Sequence, residues 1–402
     1  MYKYKSEFLK FIEDRGFLNQ VSDPENLDKT FLNKNVTAYI GFDCTAPSLH
    51  IGSLIQIMLL RHLQNFGHNP IILVGGGTSK VGDPSLKDKS RSLLSKEDIN
   101  KNLKGIKKTF GRFIDLKKEG TKIVNNNDWL GELNYIDFLR NVGTNFSVNR
   151  MLSFDSVKLR LEREQPLSFL EFNYMVMQGY DFYELNKRYD CILQMGGSDQ
   201  WGNIVCGIDL GRRLSGASLF GLTTPLLTTS TGKKMGKTEQ GAVWIDQNKY
   251  SSYDFYQYWR NVDDNDVEKL LLIFSDLDKE EIKILIKEDI NNAKKKLAYF
   301  VTTDCHSESS AQEAEKKARS IFENNSYDNI DEINFKIDSK LIDTLTSNST
   351  VSSKSEAKRL IEGGGIKIDD DQINDINLTI DKSYNEKILK IGKKKYFKII
   401  VK

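Results

Sequence analysis

VTAYIGFDCTAPSLHIGSLIQIMLLRHLQNFGHNPIILVGGG, residues 36–77, carries the pattern that decides the fold. Val36 to Phe42 reads as a buried strand, and Ile51 to Gly67 as a helix stopped by glycine. Pro70 to Gly77 reads as a second strand that runs into a glycine turn. Strand, helix, strand with short joints is a βαβ unit, which implies a parallel sheet with a right-handed crossover. Ligands of such sheets bind beyond the carboxyl ends of the strands. CILQMGGSDQWGN, Cys191 to Asn203, fits a further strand end with polar residues at its tip. GGGTSKVGD, Gly75 to Asp83, has the glycine spacing of a phosphate loop, but Asp83 stands at the lysine position. No GxGxxG follows a strand, which weakens a dinucleotide-binding reading.

Outward from this unit the chain divides. Its 402 residues exceed one ordinary core. Residues 1–230 are expected to form a Rossmann-like α/β domain with a parallel sheet. From Tyr250 to Phe322 glycine and proline vanish and apolar residues recur at helical spacing, so 231–322 is read as a loop followed by a helical domain. Residues 323–338 are polar with weak periodicity and read as a linker. A small basic α+β module over 339–402 completes the chain. With 58 basic and 56 acidic residues the net charge is +2, which leaves local clusters to steer any polyanion. No apolar run is long enough to span a membrane, and the start lacks the apolar stretch of a secretory signal. Four cysteines without a CxxC pair, and four histidines without ligand-like spacing, point to a reducing cytoplasm and no structural metal.

Two segments carry phosphate chemistry. GFDCTAPSLHIGS, Gly41 to Ser53, leaves a strand and enters a helix, whose free amides and dipole suit phosphate. His50 at that mouth can donate to a phosphate oxygen, and Gly52 lets a nucleotide approach the backbone. A helix start with a buried histidine is the plainer reading. TTSTGKKMGKTEQG, Thr228 to Gly241, sets Lys233, Lys234 and Lys237 among small residues. Such a loop can close over a triphosphate and stabilise developing charge, although alone it reads more often as solvated surface.

Together, in this order and separation, the two segments resemble the HIGH and KMSKS signatures of class I aminoacyl-tRNA synthetases. Here they read His-Ile-Gly-Ser at 50–53 and Lys-Met-Gly-Lys-Thr at 234–238, so the second histidine of the first signature is replaced by Ser53. YIGFDCTAPSLHIG, LVGGGTSKVGDPS, NYMVMQGYDF and LQMGGSDQWGN further resemble the bacterial-type tyrosyl family. The resemblance implies that Tyr39 and Asp181 recognise the phenol hydroxyl of tyrosine. It implies that Asp83, Tyr174 and Gln178 receive the ammonium, and that Gln200 lies near the carboxylate. Tyr174, Gln178 and Asp181 also share a helix face by spacing, although a core helix packed through its tyrosines and methionines explains that segment too.

For ATP, arriving with Mg²⁺, the resemblance implies Gly41, Asp43, Thr45, His50, Gly52, Ser53, Gly197, Asp199, Lys234, Lys237 and Thr238. Of these, Thr45, His50, Lys234 and Lys237 would assist catalysis. Lys87 and Arg91 match basic positions near the pyrophosphate. The implied reaction forms tyrosyl-adenylate and pyrophosphate, then transfers tyrosine to the terminal ribose of tRNA(Tyr). A homodimer is implied as well. Arg212 and Arg213 match positions that face the acceptor stem.

SSKSEAKRLIEGGGIKID, from Ser352, suggests a capping box at Ser353 and Glu356 and a helix bearing Lys354, Lys358 and Arg359. The end, KILKIGKKKYFKIIVK, holds seven lysines and no acid. This module resembles the alpha-L RNA-binding motif. Two rivals stay open at this point. A tryptophanyl enzyme shares the chemistry but needs no Tyr39–Asp181 pair. A retired RNA-binding relative would have no need to keep the signature lysines.

Overall fold

Six strands build the central sheet: β1 (Gln20–Val21), β2 (Thr37–Asp43), β3 (Asn69–Gly75), β4 (Lys122–Asn125), β5 (Leu193–Gly197) and β6 (Phe220–Thr224). The computed structural model describes residues 2–83, 94–238, 241–322, 330–348, 350–392 and 395–402. The strand order is β1-β6-β5-β2-β3-β4, and every neighbouring pair is parallel except β1 with β6. β3 and β4 extend the sheet on one side of β2, β5 and β6 on the other, so the winding reverses at β2. β2 and β3 pair along seven residues, from Thr37–Asn69 to Asp43–Gly75. β2 and β5 pair only at Ala38–Leu193 and Tyr39–Gln194. Beyond those two pairs their carboxyl ends separate, and a crevice opens at the switch point.

The apolar runs that signalled strands are buried as a central parallel sheet requires: Ala38, Tyr39, Ile40, Ile71, Ile72 and Val74 are all inside. The helix expected from Ile51 begins instead as a 3₁₀ turn, Ile51–Ser53, and becomes α-helical over Leu54–Asn65. The reason is local. The His50 Nδ1 accepts the Gly52 amide at 3.0 Å, which tightens the entry into the helix.

A ribbon of β7 (Lys237–Thr238) and β8 (Gly241–Ala242) follows the sheet. Helices Ser252–Arg260 and Val267–Phe274 then pack on Ile290–Cys305, around buried Phe255, Trp259, Leu270, Leu297 and Val301. The sheet and these helices, expected as separate domains, form one compact unit, Met1–Glu308.

The second unit is Ser309–Lys402. Its five-stranded sheet runs β12-β11-β14-β15-β9, with β9 (Asp331–Phe335), β11 (Ile366–Ile368), β12 (Asp371–Gln372), β14 (Ile388–Ile391) and β15 (Lys395–Val401). β10 (Ser339–Lys340) and β13 (Thr379–Ile380) pair separately. Helices Leu341–Ser347 and Lys354–Glu362 share a core with the sheet through Leu345, Ala357, Ile361, Ile366, Leu389 and Ile399. The linker reading of 323–338 needs correction at its end. Residues 323–329 lie outside the described residues, but β9 is an integral strand, parallel to β15. Only Ile333 and Phe335 of β9 point inward, so its acidic and amide neighbours hid the alternation. The expected capping box forms by half, with its return bond displaced by one residue. The Ser353 hydroxyl accepts the Glu356 amide, while the Glu356 carboxylate accepts from the amide and hydroxyl of Ser352.

No helix among the described residues is long and apolar enough to cross a membrane. Arg15, buried after helix Glu7–Asp14, donates to the carbonyls of Leu272, Ser275 and Leu277. It thereby caps the end of the Val267–Phe274 helix. Replacing Arg15 with Met should leave those carbonyls unpaired and cost about 2–3 kcal/mol, measured as a lower denaturant midpoint.

Candidate active site

The crevice between β2 and β5 holds a cavity of about 410 Å³. Its floor is the pair Tyr39 and Asp181. Tyr39 is 1% exposed, and its hydroxyl has no hydrogen-bond partner among the described residues. Asp181 projects from helix Tyr174–Tyr189 and is equally buried. Its Oδ1 accepts from the Trp129 indole at 2.7 Å and its Oδ2 from the Asn126 amide at 2.9 Å. Desolvation raises its pKa to about 7, against the pull of those two donors. Both donors demand acceptor oxygens, so the ionised carboxylate fits this socket and the acid loses one bond.

From Asn126 the polar network runs on toward the mouth. Its amide donates to the Thr78 hydroxyl, Thr78 donates to Asp43 at 2.8 Å, and Tyr174 donates to the other oxygen of Asp43 at 3.2 Å. With its proton committed to Asp43, the Tyr174 oxygen is left as an acceptor. Burial, then the charges of Asp43, Asp83 and Asp181, hold the Tyr174 pKa well up, so this region favours a cation. On the opposite wall the Gln200 amide donates to Asp83 at 2.9 Å. Asn203 donates to both Gln200 and Gln178. Asn203 thus fixes the two glutamines.

The two signature segments meet over the mouth. The Val243 carbonyl accepts the Ile51 amide and the Gly236 carbonyl accepts the Val243 amide. Gly236 has φ +104°, and a Cβ there would lie 3.1 Å from the Gly52 nitrogen and 3.2 Å from the His50 Nδ1. A side chain at Gly236 would therefore be strained and crowded at once. His50, Gly52 and Ser53 line the cavity, with Gly41, Asp43, Gly197 and Asp199. Lys234 enters from the loop, its Nζ 3.6 Å from Asp199. Burial raises the Asp199 pKa while Lys234 lowers it.

Most expected site residues are therefore brought together. Thr45 is exposed on the connection after β2 and is not in the cavity wall. Lys237 and Thr238 occupy β7, and their side chains lie outside the described residues, as do Lys87 and Arg91 altogether. Trp129, Asn126, Thr78 and Asn203 were not anticipated. The signal for the first two was the polar run NNND at the end of β4, a strand end like the others.

Comparison with known proteins agrees. Residues 32–323 match the profile of class I tRNA synthetases (W and Y), and residues 322–399 that of the tyrosine–tRNA ligase SYY-like C-terminal domain. A tyrosine–tRNA ligase of Wolbachia pipientis is 55% identical over 99% of both chains. The chain belongs to the tyrosine–tRNA ligase family. The family's enzyme from Pelagibacter ubique is 50% identical, over 98% of this chain and 99% of its own. A solved C-terminally truncated mitochondrial tyrosyl-tRNA synthetase of Aspergillus nidulans superposes with a TM-score of 0.71 at 30% identity. It covers 79% of this chain and 95% of its own. Membership in a tyrosine–tRNA ligase family removes the tryptophanyl rival.

The Asp181 socket sets a pH dependence of opposite sign for stability and for binding. Its folded pKa lies above the unfolded value, so the free protein gains stability as pH falls from about 7 toward 4. If the socket takes the phenol of tyrosine, that donor needs the ionised form, and tyrosine affinity should weaken as pH falls through about 7. Asn126→Ala, which removes a donor to the carboxylate, should move that acid limb up by about one unit. Equilibrium dialysis of tyrosine between about pH 5.5 and 8.5 measures that limb in both proteins.

Proposed function

We propose that the cavity performs tyrosine activation with the phenol seated on Tyr39 and Asp181. The observation that carries this is the Tyr39 hydroxyl, buried without a partner among the described residues, beside a carboxylate already oriented by two donors. The substrate O–H donates to Asp181, and the Tyr39 O–H donates to the substrate oxygen. Phenylalanine would leave both groups desolvated and unpaired, the kind of discrimination for which tyrosyl enzymes are themselves the standard example. The ammonium is received by Tyr174, Gln178 and Asp83, and the carboxylate lies by Gln200. ATP lies along the switch point, its ribose on Asp199, with the backbone at Gly41 and Gly197 permitting close approach.

The chain is an aminoacyl-tRNA synthetase, a tyrosine–tRNA ligase, and no covalent nucleophile of the protein is needed. The tyrosine carboxylate attacks the α-phosphate, pyrophosphate leaves, and the terminal ribose hydroxyl of tRNA then displaces AMP from the adenylate. Rate enhancement comes from positioning and from cations on the phosphates. Lys234 stands where it can exchange Asp199 for a phosphate oxygen, and Lys237 follows it in β7. The Nδ1 of His50 accepts from Gly52, which assigns the proton to Nε2 as a donor. ATP enters as its Mg²⁺ complex, and no trio of metal-ligating side chains is found among the described residues to hold an ion independently.

The same reading includes a homodimer. Among the described residues, nine of the twelve exposed large apolar side chains fall between Tyr135 and Leu170, among them Ile136, Val148, Leu161 and Phe169, which marks a surface to be covered. It also includes tRNA binding at exposed Lys354, Lys358 and Arg359 on helix Lys354–Glu362, and at exposed Arg212 and Arg213. Four unpaired, buried cysteines suit a reducing cytoplasm.

Tyr39→Phe should narrow discrimination against phenylalanine by about 1 kcal/mol or more, read as the tyrosine-to-phenylalanine ratio of kcat/KM in ATP–pyrophosphate exchange. An unchanged ratio removes Tyr39 from the phenol site. Alanine at Lys358 and Arg359 should leave that exchange intact. The same pair of changes should weaken tRNA binding and lower its salt slope by about 0.7–0.9 log units per lost contact.

A further inference from the structure

The signature loop is tied to the helical region by side chains that the activation chemistry leaves without a role. Asp266 stands at the N-cap of helix Val267–Phe274 but makes no cap bond to its own helix. Its carboxylate, 4% exposed, turns to the loop, accepting the Ser230 amide at 2.9 Å through Oδ2. Lys269 lies 3.3 Å from the other carboxylate oxygen and donates to the Thr228 carbonyl at 2.7 Å. The Tyr258 hydroxyl meets the Gly236 amide further along the same loop. Thr228 is bridged antiparallel to Lys234, and the Thr229 amide donates to the Lys233 carbonyl at 2.8 Å. Asp266 and Lys269 therefore hold one limb of a hairpin whose other limb delivers Lys234 to the cavity.

We propose that Asp266 and Lys269 form a latch that positions Lys234 for tyrosyl-adenylate formation. The latch touches only backbone groups of the loop, so it sets the loop's place without prescribing its side chains. Asp266 is an N-cap residue that forgoes its own helix for this contact, which a purely local structural role does not explain. Lys269 is about half exposed, so its removal leaves no buried void. Both residues are positioning residues: they act through Lys234, and the inference rests on the reading that Lys234 meets the triphosphate.

The test is single-turnover tyrosyl-adenylate formation by the full-length enzyme at saturating tyrosine and ATP, with burst amplitude counting active sites and the rate constant read per site. Lys269→Met and Asp266→Asn should each slow the rate at least about 10-fold, with amplitude and tyrosine affinity held within about two-fold. Lys269→Arg, which can still reach the Thr228 carbonyl, should recover most of the rate. Lys269→Met added to Lys234→Ala should slow the reaction no further than Lys234→Ala alone. A slow Lys234→Ala beside parental rates in both latch variants overturns the latch and leaves the site reading standing. A parental rate in Lys234→Ala overturns the reading and the latch with it. Loss of amplitude instead of rate, or losses that multiply in the double variant, also overturn the latch, since either means that Asp266 and Lys269 do not act through Lys234.

Discussion

A buried carboxylate is the constraint around which the catalytic unit is arranged. Asp181 sits in an apolar floor where an unpaired charge would be prohibitive, so donors must come to it from elsewhere in the chain. Trp129 and Asn126, just after β4, supply them, and Asn126 also connects to Thr78, which follows β3. Three segments separated by dozens of residues are thereby fixed to one another through one acidic group. Among the described residues, the socket is complete except for the acceptor capacity left to Asp181 and the unpartnered hydroxyl of Tyr39. A ligand with a single phenolic hydroxyl satisfies both. On the proposed reading, specificity is a debt of hydrogen bonds that only one aromatic amino acid settles.

The second constraint is the sheet itself. Parallel strands β2 and β5 pair at only two positions, and the polar ends that follow are free to diverge. Into that gap the chain brings the His50 turn from one strand end and Asp199 and Gln200 from the other. The loop bearing Lys234 then closes the top by backbone pairing, with Gly52 and Gly236 facing each other where any Cβ would collide. The glycine in the second signature is thus a condition of the closed arrangement. Ser53 stands at the N-cap of helix Leu54–Asn65 without a side-chain cap bond, so its hydroxyl is not consumed by the helix it begins.

Much of this could be read from residues 36–77 and the four polar segments, because parallel strands announce themselves as apolar runs and ligand groups cluster at their ends. Asp199 and Gln200 fell at such an end, Tyr39 within the apolar run of β2, and Tyr174, Gln178 and Asp181 on one face of a helix, and all line the cavity. What escaped was support. Trp129, Asn126 and Asn203 touch the groups that would meet substrate, and their importance lies in distances between segments that periodicity cannot express. β9 escaped for a different reason: a strand at the edge of a small sheet shows the core only two side chains, and its exposed acids and amides resemble a linker. The split of Ile51–Gly67 into a 3₁₀ turn and a helix turned on one histidine accepting from the amide two residues on, which no apolar spacing encodes.

On the proposed reading, the network also holds tyrosine and nucleotide in one frame. Asp181 reaches Asp43 through Asn126 and Thr78, and Asp43 receives Tyr174, so the phenol end, the ammonium end and the strand that bears the His50 turn share a single hydrogen-bonded chain. Moving any one donor shifts the acceptors on both sides of it, and such coupled polar groups are worth more together than separately. The cavity's rigidity is therefore concentrated on the tyrosine side. The nucleotide side is held by glycine turns and by an ion pair between Lys234 and Asp199 that is half open to solvent and weak enough to exchange. A fixed pocket for the amino acid and an adjustable grip on the triphosphate is the division of labour that activation requires. The first must reject phenylalanine in the ground state, and the second must follow charge that appears only as the α-phosphate is attacked.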